Sequence, residues 1–416
     1  MLMEHMKRSN RYLAVLTVLA LVPIVRGYLF GRQRDPNAYA AVDIYNGVQI
    51  VATMLMASVV GRRRATVSNL RITRGPTGWL VLYFVFCAIS SLWSPARAYS
   101  AFRAVEMLVT LLFMGHVLSI IDDRRAALLY LIMFIALTAS LGYINRLIRY
   151  GEVVQHSGSY TACGAFGAVL ALASIKRRVL RFADIKYSMI LCIITVVLGT
   201  SSASNVSLIV GVLMVTVASR RGAVSVGKLL LLSLMLFFIF TRGFDAIRPY
   251  VFPGKEMKNI RSMTGRTSVF TDFLEAVEKR PIIGYGFASG ERSIPVRGTR
   301  GIAITNSTHN EIISVVVNTG VVGLLFFGMG LLNIGHALYR ADWLGNGFAY
   351  PILMAMIVGL LNSMTAPMIG SSWAPHTTPF LGIIAYTSIY LLHRHQGATL
   401  HTRRQRPMLW NGFSTR

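Results

Sequence analysis

Two residues in this chain are placed to do chemistry. The first is His309, set in the polar patch Asn306-Ser307-Thr308-His309-Asn310-Glu311 and followed at once by the long apolar run that opens at Ile312. Histidine is the side chain best suited to take a proton near neutral pH. A lone histidine at a membrane boundary is more often an anchor than a catalyst, so its setting decides. The second residue is Arg266, in the stretch Thr264-Gly265-Arg266-Thr267-Ser268. An arginine in the first turn of a helix adds to the positive potential already present at a helix N-terminus, which suits an anion and a phosphate above all. A base and an anion clamp bracketing one basic segment favour the catalytic reading. The other signatures are missing: the sequence has no Gly-rich phosphate loop, no nucleotide fingerprint, no CxxC and no paired acids of the Asp-x-Asp kind in that segment. Cys87, Cys163 and Cys192 all fall inside apolar runs at spacings that fit no metal or redox motif, and read as small buried hydrophobes.

The elements that must position these residues are membrane helices. The chain has 416 residues, 54% of them hydrophobic and 14% charged. Apolar runs of the length that crosses a hydrocarbon core recur throughout, and they are continuous rather than alternating, which argues against a β-barrel. The expected fold is an all-α polytopic membrane protein of about 12 spans, near 12–30, 41–60, 78–94, 100–121, 126–148, 159–175, 187–203, 204–219, 228–244, 309–334, 349–368 and 374–392. The first run lacks a small-residue cleavage site and reads as an uncleaved helix. The net charge of +26 is mostly topology rather than a nucleic-acid footprint. Lys and Arg collect on alternate connections and on both termini, which puts both ends in the cytoplasm. The organisation expected is then spans one to nine over 1–244, a long external loop at 245–308, spans ten to twelve over 309–392, and a basic tail at 393–416.

The external loop does not follow the charge rule. From Thr241 to Thr308 it holds eleven Lys and Arg against six acids, the composition of a surface that meets an anionic substrate. Within it, Val269, Phe270, Phe273, Leu274 and Val277 repeat at helical spacing, which predicts an amphipathic helix between Thr264 and Pro281. Thr264 or Thr267 is the expected cap, Pro281 the stop, and Asp272, Glu275 and Glu278 the solvent face. Gly284, Gly286 and Gly290 then allow tight turns. Asn306, Ser307 or Thr308 is expected to cap the helix that re-enters the membrane.

These same stretches carry a resemblance. The run Ser262–Gly290, with Gly265-Arg266, Pro281, Gly284 and Gly286, followed by His309-Asn310, Gly320 and Gly323-Leu324, resembles the signature of the bacterial O-antigen ligase and O-antigen or exopolysaccharide polymerase superfamily. Ser90-Ser91-Leu92-Trp93-Ser94 is similar to that family's Ser-x-x-Trp-Ser element. The resemblance implies a metal-independent, inverting, multi-span (GT-C-type) glycosyltransferase of surface polysaccharide biosynthesis, with no cofactor. It would work at the periplasmic face of the bacterial inner membrane on a glycan carried by undecaprenyl diphosphate. The acceptor would be another lipid-linked glycan for a polymerase or lipid A–core for a ligase, with a chain-length regulator as a further partner and no nucleic acid. It implies that Arg266 binds diphosphate and His309 activates the acceptor hydroxyl, with Gly265 and Asn310 beside them. The chain departs from the ligase pattern at Ser204-Asn205, where family ligases carry a Ser-Arg pair. Arg103, Arg242 and Arg248 are the candidates to supply the missing cation, and the departure tilts the reading from ligase towards polymerase.

The rival class is a lipid-linked oligosaccharide flippase or other transporter. Proton-coupled carriers place acids within spans, and only Asp43 and Glu106 qualify.

Overall fold

A computed structural model of the protein describes residues 2–29, 44–62, 65–150, 158–199, 201–217, 266–298, 301–304 and 307–391. The elements are α1 (Leu2–Leu29), α2 (Ile44–Val60), α3 (Thr66–Arg74), α4 (Gly78–Ile89) running into a 3₁₀ turn (Ser90–Trp93), α5 (Arg97–Ser119), α6 (Arg124–Tyr150), α7 (Gly158–Lys176), α8 (Phe182–Val197) and α9 (Ser202–Val217). Beyond the undescribed stretch lie α10 (Arg266–Lys279), α11 (Gly290–Ser293), β1 (Pro295–Gly298), β2 (Gly301–Ile304), α12 (Glu311–Trp343), α13 (Ala349–Ser363) and α14 (Thr377–Tyr386), closed by a π-helical turn (Thr387–Leu391).

This is a multi-span helical protein. Among the described residues, α5, α6, α7 and α12 are each long and apolar enough to cross a membrane. A fifth crossing results if α3 and the helix Gly78–Trp93, bent by 95° at a short break, are counted as one. Shorter apolar helices stand at four of the other expected spans: Asn46–Val60, Ser202–Val217, Ala349–Ser363 and Thr377–Leu391. The expected span at 228–244 lies outside the described residues. The basic stretch after α2, expected to be a plain connection, is largely the helix α3. Its one buried apolar side chain, Ile72, is enough to seat it against α5.

Helix α7 forms the hub, packed against α6, α8, α9 and α13. Its buried residues are mostly small, including Ala162, Cys163, Ala165 and Ala168, so neighbouring helices approach closely. All three cysteines are free and buried. Aromatic residues fill the wider gaps: Tyr83 meets Phe84, Phe287 and Phe327, and Phe166 meets Phe380.

The amphipathic loop helix expected from Thr264 to Pro281 is α10. It buries Phe273 and Ala276, with Val269 and Val277 beside them, against Ile294 and Val296 of the hairpin region and Val317 of α12. Two details of the expected face are corrected. Leu274 is 53% exposed and Asp272 is buried, because the helix leans on both the hairpin and α12 rather than lying on one flat surface. The expected cap Thr267 is inside the helix. The antiparallel hairpin β1–β2, pairing Pro295 with Ile304 and Gly298 with Gly301, was not expected from the sequence reading of this loop.

Candidate functional site

The site is organised by a break in α12. Gly320 has φ +64° in the middle of this 33-residue helix, a conformation open to glycine and costly for other residues. A break strands backbone donors and acceptors that need partners. The turn after Pro281 supplies them. Val321 and Val322 donate to the carbonyls of Pro281 and Ile282, while Tyr285 and Gly286 donate to those of Val317 and Asn318. Close approach of the two backbones requires glycine on both sides. A Cβ on Gly320 would lie 2.2 Å from the Ile282 oxygen, and one on Gly284 would lie 2.6 Å from the Thr319 nitrogen.

The Ser90–Ser94 element holds the far side of the same turn. Ser90 Oγ accepts from the Phe287 amide at 2.9 Å, and Trp93 Nε1 donates to the Ile283 carbonyl at 3.2 Å. Ser94, Ser100 and Ser289 join their hydroxyls in a buried triangle, and Ser100 Oγ also donates to the Phe287 carbonyl at 2.7 Å. Each named residue of the Ser-x-x-Trp-Ser element therefore has a structural duty towards the Gly284–Ser289 turn.

Two buried carboxylates join the start of α12 to the connection between α13 and α14. Glu311 is 2% exposed and accepts from the amides of Met368, Ile369 and Gly370 at 2.5–3.0 Å. Its position in the first turn of α12 also suits a negative charge. Glu291, fully buried, accepts from the hydroxyls of Ser371 and Ser314 and from the Thr308 amide. Asn318 completes the joint: its Oδ1 accepts from the Glu291 amide at 3.1 Å and its Nδ2 donates to the Gly370 carbonyl at 3.2 Å. Burial pushes the Glu291 carboxyl above its ordinary range, partly offset by the Ser371 hydroxyl and the neighbouring Arg292 charge. Hydrogen bonds to charged groups contribute about 1.5–3 kcal/mol each, so this clamp fixes residues 307–311 against residues 368–371 firmly.

His309 lies inside that clamp. Its φ is +57°, uncommon for any residue other than glycine, and its amide donates to Ser307 Oγ at 3.1 Å. The helix cap that follows is Asn310, whose Oδ1 accepts from the Ile313 amide at 3.1 Å. This corrects the expected caps at Asn306, Ser307 or Thr308. Thr308 instead bonds the Asn310 carbonyl and Ser314. Asn310 also donates to the Met364 carbonyl at 3.3 Å, so both ends of its amide serve the local backbone. A non-glycine residue at positive φ costs of order 1–3 kcal/mol and persists only where its surroundings over-determine it. Here the cap on one side and Glu291 on the other do so.

Arg266 is the first residue of α10, and α10 packs on α12 through Phe273 and Val317. The fold thus sets the helix opened by Arg266 on the helix that follows His309. Gly265, Arg242 and Arg248 lie outside the described residues. Arg103 is buried and ion-paired to Glu106 at 2.8 Å, and Glu106 also accepts from Gln49, so its charge is already matched within the bundle. The sequence reading passed over two further arginines at this end. Arg292 lies 5.1 Å from the Tyr99 ring centre, which Arg103 also faces at 5.0 Å. It donates to Ser372 Oγ at 3.2 Å. Arg26 stands over Trp373 at 5.3 Å. The position where family ligases carry arginine, Asn205, is in the first turn of α9, next to Ser204, which bonds Thr161 and Asn362.

No curated protein matches this chain. Residues 187–328 do match the family model described as O-antigen ligase, a span running from α8 through α10, the hairpin and His309 into α12 beyond its break.

Proposed function

We propose that this protein transfers a glycan from undecaprenyl diphosphate to an acceptor hydroxyl at the periplasmic face of the inner membrane, as an O-antigen or exopolysaccharide polymerase ahead of a ligase. The observation that carries the reading is His309, held at positive φ by the Asn310 cap and the Glu291 clamp, within the matched region. In the reaction, the His309 imidazole takes the proton of the acceptor hydroxyl. The acceptor oxygen attacks the anomeric carbon as the bond to the diphosphate oxygen breaks, and the diphosphate leaves as an anion on the opposite face, with inversion. Diphosphate is already a good leaving group, so the protein's main tasks are a base and charge stabilisation. Arg266 supplies the first cation. Arg292 is our choice for the second, because it donates to Ser372 on the clamped connection. Of the two acids weighed for a transporter, Glu106 is held by Arg103 and Gln49, and Asp43 lies outside the described residues.

Purified protein given a synthetic undecaprenyl-diphosphate glycan and an acceptor should release undecaprenyl diphosphate in step with product. Uptake or flipping of the donor without cleavage would overturn the enzyme reading. Glycans from a deletion strain separate the two enzyme readings. Single unpolymerised repeats fit a polymerase, and full-length lipid-linked polymer without attachment fits a ligase.

A further inference from the structure

The far end of α12 carries a second built site, its His336 and Arg340 about 40–46 Å along the helix from His309 at 1.5 Å per residue. A pocket of about 520 Å³ opens there between α12, the α3–α4 bend and the closing π-helical turn, lined by Arg74, Asn333, His336, Arg340, Leu344 and Leu391. Its size falls in the range of about 300–1,000 Å³ usual for small-molecule sites. Asn333 is fixed by donating to the Pro76 carbonyl at 3.1 Å, which ties α12 to the bend. Arg74, His336 and Arg340 are exposed, and among the described residues no carboxylate forms an ion pair with them. The nearby Asp342 is already engaged by Arg177 at 3.0 Å.

The stripe of α12 beside the pocket has the opposite character. Leu325, Leu332, Tyr339 and Trp343 are 62%, 73%, 57% and 71% exposed, and they follow one another at helical spacing along one face. Tyr and Trp at the end of a long apolar helix mark headgroup depth. Residues 333, 336, 340 and 344 form the next face round. The geometry points to a binding site for an anionic glycerophospholipid, its phosphate held by Arg74 and Arg340 with His336 beside them, and its acyl chains laid along Leu332 and Leu325. Topology explains why this face is basic. It does not explain three unpaired basic side chains gathered round one pocket next to a lipid-facing stripe. Basic pockets between helices on the side where Lys and Arg collect are suited to such headgroups.

The test is thermal unfolding of the full-length protein in a neutral detergent with added lipid. Phosphatidylglycerol should raise the midpoint by several degrees, as expected for a ligand that binds only the folded state. Phosphatidylcholine with the same chains should not. Most of the rise should vanish in R74Q/R340Q, neither residue being part of the transfer site. An equal rise in that variant, or an equal rise with phosphatidylcholine, overturns the proposal. A rise produced by inorganic phosphate alone overturns the lipid assignment in favour of a soluble anion. If the double variant does not fold, R340Q examined by native mass spectrometry should retain less phosphatidylglycerol than the unsubstituted protein, and equal retention overturns the proposal.

Discussion

The two halves of α12 obey different rules. Before Gly320, the helix buries Glu311, Ser314, Asn318 and Thr319, and the polar groups of the first three tie together the Gly284–Ser289 turn with Glu291, the His309 segment and the 368–371 connection. After Gly320, the helix turns Leu325, Leu332 and Trp343 outward, and its polar contacts gather at the far end, where Asn333 donates to the Pro76 carbonyl and Asp342 pairs with Arg177. The stretch from Gly320 to Asn333 needs only to be apolar and long. The first half is specified residue by residue, because a buried polar group must find its partners or cost the fold dearly. This contrast places the demanding end of the helix where the proposed chemistry is.

After His309 itself, the largest effect should come from the cation at the start of α10. Arg266→Lys keeps the charge and loses the planar fork that holds two phosphate oxygens. Losing such a contact costs roughly 2–4 kcal/mol of transition-state stabilisation by analogy with an oxyanion donor. Glycan transfer should fall by that measure with membrane insertion unchanged, and near-normal transfer would reduce Arg266 to a member of the basic surface. Arg292→Gln should weaken donor use less severely, seen as a higher KM for the lipid-linked donor. An unchanged KM would remove Arg292 from the diphosphate site.

Glycine substitutions sharpen the contrast between the halves. Gly320→Ala forces a Cβ to 2.2 Å from the Ile282 oxygen at φ +64°, and should cost more than about 2 kcal/mol. Gly328→Ala, with nothing within 4 Å of its Cβ, should be neutral or stabilise by about 0.5–1 kcal/mol, as a glycine inside a helix allows. Comparable losses in unfolding midpoint for the two would erase the distinction.

The smallest expected effect is a pH dependence. Burial raises the Glu291 carboxyl above its unfolded value, so the folded state holds a proton that the unfolded state releases. That favours folding at low pH, and the advantage is lost as pH climbs from the ordinary carboxylate range through the raised value. Glu291→Gln should flatten this slope in a melting-temperature series. A slope that survives unchanged would assign it to another group.

Much of this was legible in the sequence, and the exceptions have physical reasons. Apolar runs located most helices, and the spacing of Val269, Phe273 and Val277 located α10, because burial of a continuous face leaves a periodic record. His309 stood out because a polar patch abuts an apolar run. Glu291 and Glu311 do not stand out as a pair, since they come together through folded contacts, Glu291 with Ser314 and Ser371 and Glu311 with residues 368–370, far along the chain. Asp272 was assigned to solvent because one helix wheel cannot show a second packing partner. The expected caps fall two to four residues early because Asn306, Ser307, Thr308 and Asn310 are all good caps by type, and only the left-handed backbone at His309 decides among them. The hairpin had a signal, a Gly298-Thr-Arg-Gly301 turn between β-branched residues, which the surrounding glycines obscured.

The central claim is that the clamped histidine is the base. The direct measurement is single-turnover transfer by purified protein with His309→Ala and His309→Gln, alongside binding of the lipid-linked donor. Both variants should bind donor nearly normally and transfer about 10²–10⁴ times more slowly. Full transfer by both would make His309 an interfacial anchor and contradict the account.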